Sequence, residues 1–102
     1  MSFHIRHRYG RCDANPPVEA FASLYDELEG EDIEHPDIAV EHETAWSLTA
    51  FADGLLIWEN VEEGDPRHMR AASREDVLRL WQLLAAGDID AVHSEPWREG
   101  YG

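Results

Sequence analysis

Histidine, cysteine and carboxylate side chains are the groups in this 102-residue sequence that could bind a metal ion. The segment "HIRHRYGRC" holds His4, His7 and Cys12, and "HPDIAVEHE" holds His35 and His42 among acidic residues. Successive side chains of a strand point to opposite faces, so residues 4 and 7 diverge, and His42 diverges from the acids beside it. Neither segment gathers ligands around one ion, and we expect no metal and no cofactor.

Nucleophilic catalysis is usually marked by a strained turn such as Gly-x-Ser-x-Gly, and the sequence contains none. Basic neighbours would activate the thiol of Cys12 if it were exposed, but we expect a small residue buried at a strand end. The seven glycines are scattered, which excludes a glycine-rich phosphate loop. With 22 acidic residues, spacing alone singles out no catalytic pair. These patterns favour a protein that is not an enzyme.

The segment "GLLIWENVEEGDPRHMR", residues 54–70, predicts a binding surface instead. Aromatic residues and arginine are enriched at protein interfaces, and carboxylates around them steer a basic partner. The alternative is an ordinary solvated turn, with the tryptophan packed under a helix. The predicted partner-binding residues are Trp58, Glu59, Asn60, Glu62, Glu63, Asp65, Arg67, His68 and Arg70.

The charge distribution indicates which partners are plausible. The chain has 22 acidic and 8 basic residues, all arginine, for a net charge of −14. Residues 12–66 contain 16 acids and no arginine (−16), and the other 47 residues contain 8 arginines and 6 acids (+2). Such a field repels nucleic acid and anionic membranes and attracts basic proteins. Solubility alone would also explain it.

The elements that position these residues follow from periodicity. "SFHIRHRY" alternates as a half-buried strand, and "IAVEHE" alternates as a short one. A helix is predicted from Pro17 to Glu29, closed by Gly30. A second helix is predicted to begin after Ser73, with Asp76 completing a capping box, and to end at Gly87. Its apolar stripe is Val77, Leu80, Trp81 and Leu84.

A β-hairpin is the clearest local signal, because "WSLTAFADGLLIWENV" joins two apolar runs at Asp53-Gly54. A two-residue turn would pair Ala52 with Leu55, whereas a bulged three-residue loop would pair Phe51 with Leu55. We prefer the bulged register because it groups the larger apolar side chains on one face. These are Trp46, Leu48, Ala50, Leu56 and Trp58.

Together these elements predict one α+β domain, residues 1–102: an antiparallel sheet of about four strands with two amphipathic helices packed on one face. "RHMRA" is a possible additional strand, and the end of the chain holds one possible helical turn. Trp97 and Tyr101 are candidates to fold back onto the domain. The single cysteine cannot form an internal disulfide, and no leader or long apolar run is present, so we expect a cytoplasmic protein.

The acidic span from Asp13 to Asp65 and the hairpin "WSLTAFADGLLIWEN" in this one-domain frame resemble the small acidic bacterial immunity proteins, which neutralise a cognate toxin. The resemblance implies a non-enzymatic role and assigns no functional residue. It implies an acidic face that covers a toxin whose active site is basic because the toxin handles nucleic acid.

Two other functions remain open at this point. The bulged hairpin leaves Phe51, Leu55 and Ile57 on the second face of the sheet, where a homodimer would cover them. A small-ligand binder or enzyme would instead need a pocket between sheet and helices. The residues predicted to line such a pocket are His42, Trp46, Trp58 and Trp81.

Overall fold

The computed structural model describes residues 3–7, 12–17, 19–27, 37–51, 54–70 and 73–101. The strands are β1 (Phe3–Arg6), β2 (Cys12–Ala14), β3 (Asp37–His42), β4 (Trp46–Phe51), β5 (Leu56–Asn60), β6 (Gly64–Met69) and β7 (Arg98–Glu99). The helices are α1 (Glu19–Asp26), α2 (Arg74–Ala85) and α3 (Ile89–His93).

All the strands belong to one antiparallel sheet in the order β2-β1-β3-β4-β5-β6-β7. The α+β class is confirmed, but the predicted counts were wrong. Within the described residues the sheet has seven strands rather than about four, and three helices accompany it rather than two. The missed strands, β2 and β7, are edge strands of three and two residues, too short to show an alternating pattern.

The central hairpin has the bulged register that the sequence favours. Ala50 pairs with Leu56, and Leu48 pairs with Trp58. The amide of Phe51 donates to the carbonyl of Leu55 at 2.9 Å. This register directs the apolar side chains of both strands to the same face, where they join the hydrophobic core.

Helix α2 is the main cover of that face, and its predicted ends are confirmed. At the start of the helix, the Ser73 hydroxyl accepts a hydrogen bond from the Asp76 amide at 3.2 Å. At its end, Gly87 follows the helix with a φ of +81°. The indole N–H of Trp81 donates to the Leu48 carbonyl at 3.0 Å, which ties α2 to the central strand β4. The predicted stripe is buried as expected: Val77, Leu80, Trp81 and Leu84.

Helix α1 packs beside α2 on the same face. Phe21 and Tyr25 lie against Trp81, with ring centroids 6.2 and 6.3 Å away. The structure places the start of α1 at Glu19, two residues after the predicted start at Pro17. The helix ends at Asp26, before the predicted end at Glu29, and residues 29 and 30 themselves lie outside the described residues. Because α3 adds the buried Val92, all three helices contribute to one core.

The second face of the sheet carries polar and small side chains. Ile57 is only 4% exposed there, and Phe51 and Leu55 are partly buried. Among the described residues, the large hydrophobic side chains that are exposed are Val61 and Tyr101. A dimer was expected because apolar side chains on the second face would be exposed to solvent. In these strands those side chains are not exposed. No helix within the described ranges is long and apolar enough to cross a membrane.

Candidate functional site

Two turns lie side by side at one end of the sheet. One is the turn at residues 43–45 between β3 and β4, and the other is the turn at residues 61–63 between β5 and β6. The Val61 amide donates to the Ala45 carbonyl at 2.9 Å, and the Asn60 side chain donates to the Thr44 carbonyl at 3.3 Å. The β4–β5 register causes this contact, because Trp46 pairs with Asn60 and brings the two strand ends level.

Asn60 fixes the conformation of the second turn. Its side-chain oxygen accepts the amides of Glu62 and Glu63, both at 3.0 Å, and the residue is only 6% exposed. Asp65 and Ala45 have φ of +62° and +73°, a region that non-glycine residues rarely occupy. Both turns are therefore held by specific hydrogen bonds in a conformation that the chain would seldom adopt alone.

The side chains that project from these turns are acidic around one apolar residue. Glu43, Glu62 and Glu63 are exposed and form no ion pair with any described residue. Val61 is 60% exposed, and Asp65 lies 3.4 Å from Arg67. We call this surface the acidic end, and it consists of Glu43, Val61, Glu62, Glu63 and Asp65. Its unpaired carboxylates make it a source of strong negative potential.

Trp58, predicted as a partner-binding residue, lies in the core at 0% exposure. Its ring stacks between Trp46, at a centroid distance of 4.4 Å, and Trp97, at 6.2 Å. Asn60 is also buried, and its side chain forms the hydrogen bonds that order the turn. Neither side chain reaches the surface, so both act as supports, which agrees with the alternative of a tryptophan packed under a helix.

A histidine lies between two N–H donors beside the tryptophan stack. Trp58 donates to Nδ1 of His93 at 3.3 Å, and the Arg67 guanidinium lies 3.1 Å from Nε2 of the same ring. A neutral imidazole has one acceptor nitrogen, so one of these contacts is a full hydrogen bond and the other is weaker. Arg67 therefore contacts both Asp65 of the acidic end and His93 of α3.

Glu59 alternates with Trp58 along β5 and therefore lies on the second face of the sheet. It accepts a hydrogen bond from the Tyr101 hydroxyl at 2.7 Å. That hydrogen bond raises the pKa of Tyr101 above its ordinary value of 10.0. The end of the chain therefore folds back onto the sheet, as the sequence indicates for Trp97 and Tyr101.

The remaining predicted residues, His68 and Arg70, lie at the opposite end of β6 from the acidic end. Together with Met69, Pro96 and Arg98 they line a depression of about 380 Å³. The structure thus divides the predicted surface of residues 54–70. The turn acids group with Glu43 and Val61, which sequence reasoning missed, and the basic residues group with Arg98, which it also missed.

The residues proposed for a ligand pocket in the core are packed rather than open. Trp81 is 0% exposed and His42 is 4% exposed. The Thr44 amide donates to Nδ1 of His42 at 3.2 Å, whereas Nε2 is buried without a hydrogen-bond partner. No set of polar groups suited to a reaction converges at His42 in this part of the chain.

The histidines and the single cysteine are candidates for metal ligands and for a reactive thiol. In the described part of the chain, no group of three histidine, cysteine or carboxylate residues could hold a metal ion. His4 pairs with Glu41 and lies on the second face, whereas His7 contacts Asp13 and Glu27 at 2.6 and 2.5 Å. His35 lies outside the described residues. The expectation that Cys12 is buried was wrong, because β2 is an edge strand and Cys12 is exposed.

Comparison of the chain with protein-family models, with curated proteins and with solved structures found no match in any of the three.

Proposed function

We propose that this chain is a non-enzymatic cytoplasmic protein that binds a basic protein partner through its acidic end. One observation carries the proposal: three exposed carboxylates, which form no ion pair with the residues that the structure describes, lie on the same two ordered turns as the exposed Val61. Like charges gathered on one surface repel one another and lower the stability of a fold, so this grouping is consistent with a use outside the chain.

The shape of the acidic end suits a protein surface. A projecting apolar side chain can enter a shallow pocket of a partner, and carboxylates around it can form ion pairs at the rim. Because the Asn60 side chain already holds the turn at Glu62 and Glu63, little backbone entropy is lost on binding. The charges would mainly accelerate the encounter, and they would do so most at low salt.

The chemistry of the partner follows from this sign of charge. A protein that handles nucleic acid presents arginine and lysine where phosphates bind, and such a surface complements the acidic end. A toxin of that kind fits, and the chain would then act as an immunity-type inhibitor. A nucleic acid or an anionic membrane would be repelled by the same carboxylates.

Affinity capture with matched baits tests the proposal. The baits are the wild type, the charge-reversed variant E43K/E62K/E63K, and the control E19K/E75K/D90K, which reverses three exposed acids away from the acidic end and changes the net charge equally. We expect a basic protein that wild type and control retain in fixed ratio at low salt, that salt weakens, and that the reversed variant loses. Equal retention by the reversed variant would remove the acidic end from the interface.

Folding of each bait has to be verified separately. All six altered side chains are exposed, so we expect free energies of unfolding within about 1 kcal/mol of the wild type. A reversed variant that is folded but fails to bind is evidence about the interface rather than about stability.

A further inference from the structure

The depression at the far end of β6 collects basic side chains on one face of the sheet. His68 pairs directly with Arg98 of β7, so their side chains lie side by side. Arg70 follows His68 by two residues and also lines the depression, as do Pro96 and Met69, although the Met69 side chain packs against the core on the other face. We call this depression, formed by His68, Met69, Arg70, Pro96 and Arg98, the Arg98 pocket.

Arg98 differs in its partners from four other arginines of the described residues. Arg6, Arg67, Arg74 and Arg79 each lie within 3.4 Å of a carboxylate. Arg98 forms no ion pair with any described residue, in a chain that has 22 acids for 8 arginines. Its neighbour Glu99 pairs with Arg67 in the sheet and belongs to the other face, and Glu95 is held by Arg79 at 2.7 Å.

His68 is held in an orientation that leaves one ring nitrogen for a ligand. Its Nδ1 lies 3.1 Å from the carbonyl oxygen of Gly100. A carbonyl only accepts, so Nδ1 carries the proton, and Nε2 makes no hydrogen bond with a described residue. Gly100 is fixed in turn, because its amide donates to the Pro66 carbonyl at 2.8 Å.

We propose that the Arg98 pocket binds a small organic anion, a carboxylate or a phosphate monoester with an apolar substituent. The Arg98 guanidinium offers paired N–H donors that match the oxygens of either head group. Nε2 of His68 can accept a hydrogen bond from the P–OH group of a singly protonated phosphate monoester, and Pro96 contacts the apolar substituent. A volume of about 380 Å³ is within the range of small-molecule sites and is too small for a folded partner.

The proposal does not depend on the acidic end, and the two can be tested on the same protein. The probes are inorganic phosphate, phenyl phosphate and benzoate, each titrated into ¹⁵N-labelled protein and followed by NMR. We expect phenyl phosphate to shift the amide signals of His68, Arg98 and Gly100. It should bind more tightly than inorganic phosphate, because only the ester has an apolar substituent that can contact Pro96.

A matched pair of variants decides where the probe binds. Arg98→Gln removes the unpaired guanidinium, and Arg74→Gln removes an exposed arginine elsewhere with the same change in net charge. We expect Arg98→Gln to raise the Kd for phenyl phosphate about tenfold, and Arg74→Gln to leave it within about twofold. The proposal would be overturned if both variants weakened binding equally, or if the probes shifted only the signals of other residues. It would also be overturned if no probe bound at concentrations up to about 10 mM.

Discussion

The acidic end and the Arg98 pocket lie at opposite ends of β6 and differ in both charge and shape. The acidic end projects from two turns, with an apolar side chain at its centre and carboxylates around it. The Arg98 pocket is concave, with basic side chains beside Pro96. A projecting surface suits a macromolecule and a small concave one suits a small ligand, so the two proposed functions depend on different binding chemistries within one chain of net charge −14.

The two regions are also supported differently. Side-chain hydrogen bonds of Asn60 hold the acidic end, whereas the Arg98 pocket depends on the end of the chain pairing with β6. Both rest on the same hydrophobic core under α2. Substitutions in the core should therefore affect both regions, and substitutions in either support should affect only one.

The largest effect is expected in the core that both regions share. Trp81→Ala removes a fully buried ring that contacts Phe21 and Tyr25 and donates to Leu48. We expect it to lower the free energy of unfolding by about 3–5 kcal/mol, measured by denaturant titration. The control is Gln82→Ala on the exposed side of α2, with a change of about 0.5 kcal/mol or less. Similar small losses for both would show that α2 does not pack as described.

A smaller effect should separate the two regions. Asn60→Ala removes the acceptor for two turn amides and the donor to Thr44. We expect a loss of about 1–3 kcal/mol, with amide NMR signals of Glu62 and Glu63 shifted and those of His68 and Gly100 unchanged. Equal shifts at both ends of β6 would contradict the separate support of the two regions.

The smallest effect concerns the end of the chain beside the Arg98 pocket. Tyr101 has a raised pKa because it donates a hydrogen bond to Glu59. The stabilisation from this pair is present below the unfolded pKa of about 10 and is lost as the pH rises through the higher folded value. The measurement is the ultraviolet titration curve of the wild type, from which the curve of the Tyr101→Phe variant is subtracted. The difference should give a tyrosinate midpoint above that of free tyrosine. A midpoint at or below the free value would mean that the end of the chain is not held there.

The local signals in the sequence predicted much of this fold. The Asp53-Gly54 hairpin, the Ser73 cap and the stripe around Trp81 each depend on neighbours within a few residues, so their patterns are visible in the sequence. The strands β2 and β7 depend on pairing with distant partners, β1 and β6, and carry no pattern of their own. Their existence is decided by tertiary contacts.

The candidate site was only partly predictable for the same reason. The exposure of Glu62 and Glu63 follows from a turn between two strands. The burial of Trp58 was already implied by the alternation that grouped it with Leu56. Glu43 joins the acidic end only because β4 and β5 bring two turns level, and Arg98 joins His68 only through strand pairing late in the chain.

The central claim is that the acidic end, rather than total charge, selects a basic partner. The most direct test is the association rate constant with the captured partner, measured by stopped flow at low and at high salt. The variants are E43Q/E62Q/E63Q and the control E19Q/E75Q/D90N, which remove the same number of charges. We predict that the acidic-end variant associates about tenfold more slowly at low salt and that the control changes much less, with the difference shrinking at high salt. Equal slowing by both variants would show that only the net charge matters and would contradict the account.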